Sequence, residues 1–189
     1  MFYTARRTLF TGTETFTLKE NKLFISSTKK NQLVRTIPYS AIKEVSLTYF
    51  PGYRNTPEIY QCFIKATNKE TIKISSNHYK SFGYTVPQND EYAAFVNALH
   101  QKLETNSSIV FKKGTSNVKF RLLTIFFGIL ILALIVLGII GIFMKKYNVA
   151  LAMLFGAFSF GAISYKIVKS FKPEKYSPTK IPTTLIPSF

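Results

Sequence analysis

The sequence predicts a membrane protein in two parts. An N-terminal mainly-β domain of about seven antiparallel strands, closed by one C-terminal helix, is followed by a two-helix transmembrane hairpin. Three observations predict this. Two uncharged stretches, Leu122–Met144 and Val149–Tyr165, are separated only by Lys145-Lys146-Tyr147-Asn148. Residues 13–86 alternate β-branched and aromatic residues with polar ones at period two, the period of a half-buried strand. From residue 90 the apolar positions change to helical spacing.

Met1–Gly12 mixes apolar Phe2, Tyr3, Leu9 and Phe10 with the basic pair Arg6-Arg7, so it either adds an edge strand or lies against a membrane surface. The first twenty residues hold no continuous apolar run. No signal peptide is expected, and the first span then serves as the internal targeting signal.

Strands are expected at Glu14–Leu18, with Phe16 and Leu18 on one face, and at Lys22–Ser27 after the turn Lys19-Glu20-Asn21. Leu33–Tyr39 follows the polar turn Thr28–Asn31 and places Leu33, Arg35 and Ile37 together; Pro38 ends its ladder. Ser40-Ala41-Ile42 turns into Glu44–Phe50, in which Val45, Leu47 and Tyr49 alternate. The loop Pro51–Pro57, with Tyr53 and Arg54, leads to a hairpin of Ile59–Ala66 and Thr71–Ser75. His78–Val86, interrupted by Gly83, supplies a seventh strand. Asn89 or Asp90 can cap a helix over Asp90–Glu104, whose stripe Tyr92, Phe95, Val96, Leu99 and Leu103 backs onto Asn97, Gln101 and Lys102. An amphipathic helix arriving last can plug the open end of a small barrel.

This order of elements, with the turn SAIKEV after the third strand and the terminal helix EYAAFVNALHQKL, resembles the pleckstrin-homology-like superfamily over residues 13–105. It also resembles the bacterial branch in which such a domain is tethered to membrane helices. The resemblance implies the fold and a role in binding a protein segment or the membrane surface. The superfamily's phosphoinositide pattern, a Lys and then basic-x-Arg across the first two strands, is not matched: Lys19 and Lys22 are followed by Lys29-Lys30-Asn31, with no Arg two places after either Lys.

Residues 106–121 form a basic tether in which Ile109-Val110-Phe111 either adds a strand or rests at the interface. Leu122–Met144 has 23 residues, no charge, no proline and a single hydroxyl, Thr124. As a helix it reaches roughly 34 Å, enough for a hydrocarbon core of about 30 Å. Val149–Tyr165 has 17 residues, and Tyr147 and Tyr165 extend it into the interfaces. A helix apolar all round calls for an apolar surrounding. The second span is rich in small residues. Ala152 with Gly156, and Ala157 with Gly161, are each four apart, which lets helix backbones approach closely; packing within the hairpin or between chains would use them. Residues 166–189 form a basic tail whose prolines 173, 178, 182 and 187 exclude a long helix. Its apolar end, Ile181, Leu185, Ile186 and Phe189, either anchors at the membrane interface or docks on this domain or a partner.

The formal charge of +16 is uneven: residues 1–105 hold 14 Lys/Arg against 8 Asp/Glu, and residues 106–189 hold 11 against the single Glu174. A nucleic-acid reader would carry its excess on the soluble fold, so nucleic acid is not an expected partner. Lys112, Lys113, Lys119 and Arg121 before the first span, and Lys166, Lys169, Lys172, Lys175 and Lys180 after the second, outnumber Lys145 and Lys146 between them. The excess predicts both termini in the cytoplasm, and the bacterial branch that the chain resembles implies a bacterial inner membrane. All but Lys180 are the candidate contacts to an anionic leaflet.

Lone Cys62 excludes an intramolecular disulfide framework and suits a small buried position in its strand. One Cys with His78 and His100 far apart does not make a zinc site, and neither metal nor cofactor is expected. There is no His-Glu-x-x-His, Gly-rich phosphate loop or Gly-x-Ser-x-Gly. Glu14, Glu20, Glu44 and Glu58 are expected as solvated surface carboxylates, and His78 and His100 as surface or boundary residues. Neither span holds an ionisable group, which argues against transport. The expected function is that of a non-enzymatic integral membrane protein whose cytoplasmic domain binds a protein segment or the membrane surface. The alternative is an accessory or scaffold subunit assembling through its small-residue helix, with a protein partner or a second copy.

Overall fold

The computed structural model describes the chain apart from residues 7, 9–11, 29–33, 53–56, 83, 116 and 188–189 and the side chains of Lys119 and Ser170. Leu9, Phe10, Leu33, Tyr53, Arg54, Gly83 and Phe189, all named in the sequence reading, fall outside the described residues. The chain divides into two compact units: residues 1–113 with 174–189, and residues 114–173.

The first unit is a β-rich domain. Strands β1 (Phe2–Arg6), β2 (Thr13–Leu18), β3 (Lys22–Ser27) and β4 (Arg35–Pro38) form an antiparallel sheet in sequence order. A 3-10 turn at Tyr39–Ala41 leads into a second sheet, in which β5 (Ile42–Phe50), β6 (Ile59–Ala66) and β7 (Thr71–Ser75) run as an antiparallel meander. The expected strands recur, with others added and the seventh replaced. The N-terminal segment supplies an edge strand, paired Tyr3↔Phe16 and Ala5↔Glu14. Of the two roles the sequence leaves open for this segment, the structure shows the strand. The expected seventh strand is instead a separate two-stranded hairpin, β8 (Asn77–Ser81) and β9 (Tyr84–Pro87), because Ser81 pairs with Tyr84 and reverses the chain there.

Helix α1 (Asn89–Leu103) lays Tyr92, Phe95, Val96, Leu99 and Leu103 into a core with Leu23, Ile25, Val45, Leu47, Cys62, Ile64 and Ile74, all fully buried. The Tyr3 ring lies tilted against Phe95 at 5.7 Å, meets the Tyr92 ring edge-on at 6.1 Å, and its hydroxyl donates a 2.6 Å hydrogen bond to the Ser75 carbonyl. One residue thus ties the first strand to both the helix and the second sheet. The helix begins after Gln88, with no side-chain cap from Asn89 or Asp90. Asp90 and Glu91 lie in the first turn, where a negative charge complements the helix dipole. Burial pushes the Cys62 thiol up to about 12, so it stays protonated and packs as an apolar group.

Two acids expected at the solvated surface are engaged with cations. Arg35 bridges Glu14 at 3.2 Å and Glu70 at 2.8 Å. Glu44 accepts from Lys65 at 2.7 Å and also from Lys112. Strand pairing sets Glu44 directly opposite Lys65, while Arg35 and Lys112 reach their acids from positions that are not register partners, and single-strand alternation shows neither. Glu58 accepts from the hydroxyls of Tyr49 and Tyr60.

The second unit is a helical hairpin: α2 (Asn117–Phe143) and α3 (Tyr147–Phe171), both longer than the uncharged stretches alone. Phe120–Phe143 and Tyr147–Lys169, 24 and 23 residues, are each long and apolar enough to cross a membrane. At its open end Thr115 donates to the Phe171 carbonyl at 3.2 Å, and at its closed end Lys146 donates to Gly141 at 2.8 Å. Side chains such as Leu151, Phe155 and Phe158 are largely exposed.

Candidate functional site

The β domain has a groove between α1 and the free edge of β5, and the chain fills it itself. Strand β10 (Val110–Lys113) runs parallel to β5, with Phe111 beside Val45, and so covers that edge. Ile109 and Phe111 are buried. Residues expected as a tether thus form part of the domain. Strand β11 (Glu174–Lys175) then pairs antiparallel with β10, Lys113 facing Glu174 and Lys112 facing Lys175. The Lys113 ammonium lies 2.7 Å from the Glu174 carboxylate. Covering an otherwise open strand edge satisfies its backbone groups, and an added strand is a recurrent way to bind a peptide.

Beyond β11, Tyr176 turns inward. Its amide donates to the Phe111 carbonyl at 3.1 Å. Its ring lies nearly parallel to His100, 24° between planes and 5.9 Å between centres, and 5.9 Å from Phe111. Both nitrogens of His100 are engaged: Nδ1 is 2.7 Å from the Val96 carbonyl and Nε2 is 2.8 Å from the Tyr176 hydroxyl. A carbonyl can only accept, so the neutral ring carries its proton on Nδ1, and Tyr176 donates to Nε2. Burial pulls the His100 pKa down to about 4, and burial raises that of Tyr176 far above its ordinary value. The pair is therefore neutral.

The segment continues through a turn closed by Lys180 to Ser177 at 3.0 Å, then a 3-10 turn at Thr183–Leu185. Leu185 is buried, and Ile181 and Ile186 pack on the core. Between this segment and α1 lies a cleft of about 640 Å³, lined among others by Asn97, Gln101 and Glu104 from the helix and Pro178, Ile181 and Ile186 from the tail. That volume falls within the usual range for ligand sites.

The surface or boundary position expected for His100 is corrected: it is 1% exposed. The missed signal is its spacing, since Val96, His100 and Leu103 follow the helix's apolar stripe at steps of four and three. Of the eight candidate membrane-surface cations, Lys112 and Lys113 are paired with Glu44 and Glu174. Arg121, Lys166, Lys169, Lys172 and Lys175 have exposed side chains, and the Lys119 side chain lies outside the described residues. In the second unit, Ala157 is buried in the helix interface, and a Cβ on Gly161 would meet Ile131 at 3.9 Å. Ala152 is exposed, and a Cβ on Gly156 would meet nothing within 4 Å. The buried small residues of α3 are Ala150, Ala157 and Ser164, seven apart. Opposite them, Cβ atoms on Gly138 and Gly141 of α2 would crowd Leu154 and Ala150.

No family model matches the chain, and no curated protein or solved structure matches it significantly. Among the described residues no group of three or more His, Cys, Asp or Glu side chains is placed to hold a metal ion. What the groove can do chemically is bind. It offers a strand edge, an aromatic slot with one fixed hydrogen-bond acceptor, and apolar seats for a short, proline-interrupted chain.

Proposed function

We propose that this is a non-enzymatic integral membrane protein whose pleckstrin-homology-like domain binds an extended protein segment, and that its own residues 174–187 occupy that site in cis. The observation that carries the reading is Tyr176 seated between His100 and Phe111 at the end of the β11 ladder. The superfamily assignment is supported by the succession of a four-stranded and a three-stranded antiparallel meander before α1. In this reading α2 and α3 cross a bacterial inner membrane as a hairpin. Its two ends leave from facing residues, Lys113 and Glu174, which suits a chain with both ends on the cytoplasmic side. The exposed cations near the helix ends would face the anionic leaflet.

The test is a chain ending at Pro173, reconstituted in lipid, and a synthetic peptide of residues 174–187. The truncated protein should bind the peptide and the full-length protein should not. A Tyr176→Phe peptide should bind more weakly. A truncated, folded protein that ignores the peptide would refute the reading.

A second reading, a scaffold or accessory subunit, is favoured by the flank of α3 where Ala152 is exposed and a Cβ on Gly156 would meet nothing within 4 Å. Such a flank suits close helix approach in lipid.

A further inference from the structure

The β8–β9 hairpin ends in an exposed aromatic turn for which the groove has no use. Phe82 lies in that turn and is 92% exposed, and Tyr84 beside it is 57% exposed. The register slips between Tyr79 and Ser81, so Lys80 is bulged out of the ladder, and it too is exposed. Two other rings of the domain lie under a lysine. The Lys19 ammonium lies 4.9 Å above Phe24, and Lys73 lies 5.8 Å above Phe63. Among the described residues Phe82 has no such cover.

A bare ring at a turn keeps apolar area in water at a standing cost. The surroundings indicate what would relieve it. Asn77–Pro87 contains Lys80 and neither Asp nor Glu, so it would meet an anionic surface without repulsion. Two rings and one cation are far too little for a stable protein interface, which needs about 800 Å² on each side. They suffice for a bilayer, where aromatic rings settle at the headgroup level and a lysine stem reaches toward the phosphates. A chain already held in that bilayer meets it at high effective concentration.

We infer that the Phe82 turn is a lipid-interface wedge, dipping Phe82 and Tyr84 into the anionic bilayer that carries the chain while Lys80 lies among its headgroups. The inference rests on the proposed membrane crossing by α2 and α3.

The chain contains no tryptophan, so Phe82→Trp introduces a single tryptophan, excited apart from the tyrosines at the red edge of its absorption, at an exposed site. Val34→Trp does the same at another exposed position, 54% accessible in the parent residue. Each full-length variant is reconstituted in phosphatidylcholine–phosphatidylglycerol vesicles with plain or brominated acyl chains. Phe82→Trp should lose most of its emission in brominated lipid and shift to the blue, and Val34→Trp should do neither. Adding Lys80→Glu should weaken the quenching. The wedge is refuted if Phe82→Trp emits equally in both lipids and stays open to an aqueous quencher while the chain resists an alkaline wash. A chain that the wash strips from the vesicles refutes the membrane crossing, and the wedge with it.

Discussion

His100 Nε2 accepts a 2.8 Å hydrogen bond from the hydroxyl of Tyr176, 76 positions further along the chain. Tyr176→Phe keeps the ring stacked but leaves a buried acceptor without its donor, which costs about 1–3 kcal/mol. The denaturant midpoint of the β domain should fall, and amide exchange at Glu174–Tyr176 should quicken. Unchanged exchange would mean that the bond does not hold the tail.

The same histidine sets a pH dependence. Burial lowers its pKa to about 4 from 6.5, and its neighbours are neutral: the Val96 carbonyl, the Phe111 ring and the Tyr176 hydroxyl. Glu104, which lines the same cleft, is the nearest acid along the helix. Between pH 4 and 6.5 the unfolded chain binds the proton and the folded one does not. The contribution of the neutral ring is therefore complete above pH 6.5 and fades as the pH falls toward 4, by up to about 3 kcal/mol. Burial pushes Glu44 upward, but the hydrogen bonds from Lys112 and Lys65 outweigh it and leave the carboxyl below its usual value. Its contribution, too, is present at neutral pH and lost on acidification. Unfolding measured from pH 7 to pH 4 should show this slope, and His100→Gln should flatten its upper part.

Gly114 has φ +81°, and a Cβ there would lie 2.5 Å from the Lys172 carbonyl oxygen and 2.7 Å from that of Phe171. Both atoms are backbone and cannot turn aside. Gly114→Ala should therefore cost more than the roughly 1–2 kcal/mol of the left-handed backbone alone. Gly128→Ala, where nothing lies within 4 Å, should be neutral. Thermal unfolding of the two variants side by side tests the contrast.

Gly141 and Gly156 separate packing within the hairpin from assembly between chains. Gly141→Leu should disrupt the hairpin, because a Cβ already meets Ala150 at 3.2 Å. Gly156→Leu should leave the hairpin intact and reduce any oligomer on a native gel. An unchanged oligomer would count against α3 as the assembly surface.

Cys62 is fully buried and its thiol stays protonated, so it should remain silent to maleimides and need not be removed. Lys146→Cys in the turn should react with an impermeant maleimide only from outside the cell, and Lys175→Cys only after the inner face is opened. Labelling of both from one side would overturn the two-span topology.

The sequence announced the apolar helices, because 23 uncharged residues leave few alternatives. It announced most strands and the stripe of α1 for the same reason: local spacing follows burial. Less was visible where partners are distant. Nothing near Glu44 in the sequence suggests Lys112, and His100 reads as polar until Tyr176 is brought onto it. The small-residue pattern marked α3 as a close-packing helix but not which flank packs. That flank follows the seven-residue step of Ala150, Ala157 and Ser164, fixed by the glycines of the other helix.

Strand β10 is made before the apolar helices and β11 after them, yet each completes the other's ladder. The last rung of the domain therefore cannot form until the ribosome has finished both helices and the chain has doubled back. A product whose second helix failed to return would leave the His100 slot vacant and the β10 edge bare, open to proteases and to quality-control factors. Closure of that rung thus reports that the whole helical hairpin has been made and has folded back.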